Sequence, residues 1–201
     1  SLIDLFLLLI SFLSFLSTFL QEQFKSSGPE LSVKNIRDSV LKLKLNGSLQ
    51  GTDILHYPLW ILKRYQIEKA LFSADLAVDD LPEAWNDSME NLFGVRPKSD
   101  AEGCMRSMHW AAGYWGYMPN YAIGLLKAAQ FYQTALAEVP NMKAEFSQGY
   151  MTSWNHWLRD RVQSKASLYN SDELMVSATG SALSVKFYKR HVQNIYDCEM
   201  F

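Results

Sequence analysis

The chain has 201 residues, a formal net charge of −2 and 13 % aromatic side chains. That length is most simply one domain with a substantial core, and the near-balanced charge gives no electrostatic case for nucleic acid or an anionic surface as partner. Two widely separated cysteines, Cys104 and Cys198, stand in no ligand spacing and argue against a disulfide framework.

The first predicted element is unusual. The run that opens at Leu5 and closes at Leu20, LFLLLISFLSFLSTFL, carries no charge and is interrupted only by hydroxyl residues. As a helix it would extend roughly 24 Å at about 1.5 Å per residue, a little short of a bilayer core of about 30 Å. It lacks the basic lead and small-residue cleavage site of a signal peptide. A membrane-embedded helix and a buried core or subunit-interface helix remain as its two readings. Ser11, Ser14 and Thr18 align at helical spacing, and hydroxyls can bond back to their own helix in either setting. Residues 1–24 are therefore set apart from a helical domain over 25–201.

Ser26-Ser27-Gly28-Pro29 ends that helix, and Ser32 reads as the N-cap of a helix over 33–45. Asn46-Gly47 is a turn signal. The next helix follows Pro58, with Trp60, Ile61, Arg64, Ile67, Glu68 and Leu71 on one face. An apolar helix is expected from Ala122 through Phe131 and on to Ala137, and another over 154–167. Ser171 looks like the cap of a short helix stopped by Gly180, and Ser184 the cap of a last one over 185–196. No strand pattern of real length occurs, so the fold class is all-α.

The most informative stretch is 102–132, EGCMRSMHWAAGYWGYMPNYAIGLLKAAQFY. Glycines at 113, 116 and 124 lie among large rings, where a missing Cβ lets backbones approach closely. Tyr and Trp combine apolar bulk with one polar handle each. The run suits a packed helix-turn-helix core. A sharper reading is the floor of a cleft into which His109 and Tyr117 or Tyr121 point.

This stretch resembles the C-terminal signature of the carboxypeptidase Taq family, all-helical zinc metallocarboxypeptidases. That signature is Gly-x-x-Gln-Asp-x-His-Trp followed by Gly-aromatic-Gly-Tyr-aromatic-Pro-x-Tyr-Ala-x-Gly. Gly103, His109, Trp110, Gly113, Trp115, Gly116, Tyr117, Pro119, Tyr121, Ala122 and Gly124 match, whereas Arg106 and Ser107 replace the Gln-Asp pair. The resemblance extends upstream through Asp53, Tyr57, Pro58, Leu59, Arg64, Tyr65, Glu68 and Lys69, then Asp80-Leu81-Pro82 and Trp85-Asn86. Downstream, LYNSDELMVSATGSALSVKFYKRHV is similar to the family's closing segment. Roughly residues 19 to 196 are covered.

The resemblance also marks departures. Such a peptidase needs two histidines one helical turn apart, with a glutamate beside the first. Here His56, His109, His156 and His191 show no such spacing, and the family's His-Glu-x-x-His helix lies upstream of the matched region. Leu49 stands where the resemblance places an arginine that grips the substrate's terminal carboxylate, a contact a leucine cannot make. His109, Tyr117 and Tyr121 are what survives of the implied cleft. As a core residue His109 would be a satisfied imidazole under Trp110. His56 is expected at a helix entry or on the surface, and His156 and His191, with charged neighbours, in solvent.

The reading that follows is a truncated, catalytically inactive relative with no catalytic, metal or cofactor site. It would serve as a structural subunit of a larger membrane complex, mitochondrial by type, with other subunits or lipid around residues 5–20. The alternative is the C-terminal half of a split zinc carboxypeptidase completed by a separate zinc-binding chain. A third reading, a small-molecule or peptide binder, rests on Trp115, Tyr117 and Tyr121 alone.

Overall fold

The computed structural model describes residues 13–25, 28–42 and 52–196, and among these every regular element is helical. The α-helices in chain order are α1 (Leu13–Phe24), α2 (Val33–Val40), α3 (Tyr57–Phe72), α4 (Leu81–Phe93), α5 (Met108–Ala111), α6 (Pro119–Glu138), α7 (Met142–Ser147), α8 (Thr152–Arg161), α9 (Ser171–Thr179) and α10 (Val185–Tyr196). Two compact units result. One combines the chain's ends, Ser1–Leu41 with Gly124–Phe201, and the other is its middle, Lys42–Ile123.

Local chemistry explains most boundaries. Ser32 caps α2 by accepting from the Asn35 amide, and Pro58 sits in the first turn of α3, where a missing N–H costs nothing. Gly94 and Gly180 close α4 and α9 in the left-handed conformation. The cap of α9 is Asn170 rather than Ser171: its side chain accepts from the Asp172 and Glu173 amides, and Glu173 reaches back to the Asn170 amide. The helix expected over 154–167 begins at Thr152, ends at Arg161 and passes into a 3₁₀ turn, Gln163–Lys165.

In the unit formed by the ends, the core gathers Phe131, Tyr132, Ala135, Met142, Phe146, Trp154, Trp157, Met175 and Ala178. Trp154 and Trp157 lie parallel, 6.0 Å apart, and the Trp157 indole donates to Glu138 Oε2 at 2.7 Å. Gln130 has no exposed surface. Its amide nitrogen donates to Thr179 Oγ1 (2.8 Å), to Ser181 and to the Ala182 carbonyl, while its oxygen accepts from the Ser184 amide (3.0 Å). One side chain thereby ties α6 to the turn between α9 and α10. His191, expected in solvent, is 5 % exposed and edge-on to Tyr132; burial lowers its pKa to about 4. His156 is exposed, as its neighbours suggested.

The helix α1 belongs to this unit, and its contacts overturn the membrane reading. Ser17 is buried and donates to the Leu31 carbonyl at 2.5 Å, and Gln21 donates to the same carbonyl at 3.3 Å. Phe15 packs so closely on Gly149 that a Cβ there would lie 2.7 Å from its ring. Those side chains are spent on the protein's own backbone. No helix among the described residues is long and apolar enough to cross a membrane. Residues 5–12 of the apolar run lie outside the described residues.

The middle unit packs Trp60, Ile67, Trp85, Met89, Phe93 and Cys104 together. Its core admits charge: Lys63, Arg64 and Glu68, on the inner face of α3, are 0 %, 6 % and 3 % exposed.

Candidate functional site

The site lies within the middle unit and is assembled on α3. At its entry Asp53 accepts from the Leu55 and His56 amides (2.9 and 3.0 Å) and from His56 Nδ1 (2.7 Å). Burial raises the Asp53 carboxyl, but the His56 side chain and these amides outweigh it and hold the pKa below the ordinary value. His56 is thus a helix-entry residue paired with an acid.

About two turns further, the basic residues of α3 lie among tryptophans. Lys63 Nζ sits 3.1 Å from the centroid of the Trp85 ring and 4.9 Å from that of Trp60, with no hydrogen-bond partner. Burial lowers its pKa to about 6, and the neighbouring Arg64 charge adds to the effect. The Arg64 guanidinium lies 5.3 Å from the Trp110 ring centroid and 5.6 Å from that of Trp85. Its Nη1 approaches Met118 Sδ at 3.9 Å, while Nε and Nη2 have no hydrogen-bond partner. Glu68 Oε1 accepts from Trp110 Nε1 at 2.5 Å, and Oε2 accepts from the Gly116 amide at 2.9 Å.

The expected cleft residues do come together. His109, on the single turn α5 capped by Ser107, stacks on Tyr117 with centroids 5.7 Å apart and planes 21° from parallel. Its Nε2 lies 3.3 Å from the Tyr121 hydroxyl, the donor depending on the tautomer. Tyr117 and Tyr121 meet edge to face at 5.5 Å. The Tyr57 phenol has its pKa raised by burial and by the neighbouring Tyr121. His109 is half-buried and Tyr117 exposed, so this group faces outward from its unit. Trp110, not His109, turns into the core, where it meets Trp85 edge-on and stacks on Trp115 at 5.4 Å. The core role expected of His109 under Trp110 is therefore replaced by a stack on Tyr117.

Gly113 and Gly116 have φ values of +76° and +70°, and a Cβ on either would meet nothing within 4 Å. Backbone conformation, not close approach, is what requires glycine there. Leu49 lies outside the described residues. Among the described residues no group of three or more His, Cys, Asp or Glu could hold a metal ion, so the described residues do not by themselves fit a zinc centre.

The all-helical frame matches that of solved metallocarboxypeptidases. A profile of the Carboxypeptidase Taq (M32) metallopeptidase family matches residues 9–196, and the chain belongs to that family. It is 38 % identical over 144 residues to Carboxypeptidase 1 of Bacillus subtilis, covering 72 % of this chain and 29 % of that one. To Thermostable carboxypeptidase 1 of Thermus thermophilus it is 34 % identical over 176 residues, covering 88 % and 34 %. Among solved structures, Trypanosoma cruzi metallocarboxypeptidase 1 superposes with a TM-score of 0.87 at 27 % identity, covering 93 % of this chain and 39 % of that one.

The chain therefore spans about a third of the length of the relatives it matches, as the resemblance to a C-terminal part implied. This corrects the expectation of an inactive relative. The relatives are carboxypeptidases, and a zinc motif absent from one third of their length is no sign of lost activity. The mitochondrial membrane assignment fails with it, since these curated relatives are carboxypeptidases of bacteria and no described helix could span a bilayer.

Proposed function

We propose that this chain forms the C-terminal part of a zinc metallocarboxypeptidase and supplies one wall of its substrate cleft. The zinc ligands and general base would come from the remaining two thirds of the family's length. The His109–Tyr117–Tyr121 cluster carries this reading: a half-buried imidazole bonded to one phenol and stacked on another, on a loop that matches the family's signature. In that role His109, with its tautomer coupled to the Tyr121 hydroxyl, holds a proton at Nε2 near the scissile bond. Tyr117, 44 % exposed, offers a phenolic donor to the oxyanion that develops on the attacked carbonyl.

The test is hydrolysis of an N-blocked dipeptide with a free C-terminal carboxylate by the full-length, zinc-loaded protein. Release of the C-terminal residue is expected, with His109→Ala lowering kcat/KM about 100-fold without loss of the fold. A correctly folded, metal-bearing protein that releases nothing from a range of such peptides would sink the proposal.

A further inference from the structure

The Glu68 carboxylate is nearly buried and belongs to no ion-pair contact within 4 Å among the described residues. Both of its oxygens are engaged instead by the loop that bears the cleft residues. Oε1 holds the Trp110 indole and Oε2 holds the Gly116 amide, so one rigid side chain grips the loop at both ends. The residue before Trp110 is His109 and the residue after Gly116 is Tyr117, the two rings that stack. Between the two grips, residues 111–115 are all exposed, and Gly113 and Gly116 have open space where a Cβ would stand, so little packing restrains the loop from inside. Trp115, next to Gly116, lies on the Trp110 ring that Glu68 anchors.

We infer that Glu68 is a positioning residue: its two-point grip on Trp110 and Gly116 sets the distance and tilt of the His109–Tyr117 pair. The geometric part stands on the contacts alone, and its consequence for turnover rests on the carboxypeptidase reading above. Buried carboxylate acceptors make charge-assisted bonds, stronger than neutral ones. A glutamine of the same shape would keep at most one of them and turn an N–H toward the other donor.

The experiment uses the full-length protein with Glu68→Gln and, as a second lesion, Trp110→Phe, which removes the indole donor and some ring area but keeps an aromatic ring against Trp85 and Trp115. Hydrogen exchange is followed by mass spectrometry in peptides covering 108–118, with the α10 peptide as internal control. Glu68→Gln is expected to speed exchange at 108–118 at least about tenfold while α10 is unchanged, an opening shift of about 1.4 kcal/mol. In the active enzyme it should lower kcat about 10- to 100-fold with little change in KM. Trp110→Phe should move both readouts in the same direction by less, and it decides the matter should Glu68→Gln fail to fold. Unaltered exchange at 108–118 in a folded Glu68→Gln protein, or in Trp110→Phe where that is the variant available, overturns the inference. If the wild type shows no peptidase activity, the functional reading fails, while the exchange comparison still judges the role of Glu68.

Discussion

In the unit built from the chain's ends, the most deeply buried amide, that of Gln130, is satisfied on both sides by the turn it braces. In the middle unit, Lys63 and Arg64 are buried with nitrogens that have no hydrogen-bond partner, held against the rings of Trp60, Trp85 and Trp110. The first arrangement joins segments far apart in sequence at little electrostatic cost. The second is costly, because a buried guanidinium forfeits hydration that ring faces only partly replace, and the buried lysine gives up its proton instead. The cost falls on the unit that carries the His109 cluster. The same helix that buries the cations also projects Glu68 onto the loop beneath that cluster. A protein tolerates such groups where position matters more than stability.

The sharpest way to break this contrast is Lys63→Met. The unfolded chain binds the lysine proton below about pH 10.5, whereas the folded state binds it only below about pH 6. The penalty is therefore absent above pH 10.5, grows as pH falls and is complete near pH 6. Lys63→Met should stabilise the protein by on the order of a few kcal/mol at pH 7, and the gain should shrink toward zero as pH rises to 10.5. Denaturant unfolding across that range checks it; a pH-independent gain would mean that packing, not charge, is what the lysine costs.

His191 provides a smaller counterpart in the other unit. Burial lowers its pKa from 6.5 to about 4, so the folded state resists a proton that the unfolded chain accepts. Stability should fall between pH 6.5 and pH 4 by on the order of 3 kcal/mol. His191→Phe should remove most of that slope in the same unfolding measurement, and an unchanged slope would place its origin elsewhere. The least of the three effects is expected for Gln130→Leu. It leaves the Ser184 amide without its acceptor and should cost about 2 kcal/mol at any pH between 6 and 9, read as a lowered thermal midpoint without a pH trend. A loss that changed with pH would mean that a titrating group, not the unpaired Ser184 amide, sets the cost.

Much of this was legible in residue order, because caps and periodicity are local. Ser32, Pro58 and Gly180 each act within a turn of their own position, and α10 spans the residues its pattern predicts. The spacing that set Trp60, Ile61, Arg64, Ile67 and Glu68 on one face of α3 identified five residues that the structure buries. The signature around His109 located the cleft cluster. Lys63 escaped notice because a lysine beside an arginine reads as a solvated face, and its burial depends on Trp85, brought over it from α4. His191, flanked by Arg190, misled in the same way: Tyr132 of α6 closes over it. Asn170 lost out to Ser171 as the expected cap because both are good cap residues one position apart, and only the backbone conformation separates them.

By itself the sequence determined the helical class, several element boundaries and the membership in a metallopeptidase family, since each is written in local spacing or in a motif carried along the chain. The tertiary structure alone decided which charged groups lose their water, that Glu68 grips the loop on which His109 and Tyr117 stack, and that Ser17 and Gln21 bond to the Leu31 carbonyl. Those outcomes depend on atoms brought together from residues dozens of positions apart. Desolvation and hydrogen bonding act over a few ångströms of space, whatever the separation along the chain.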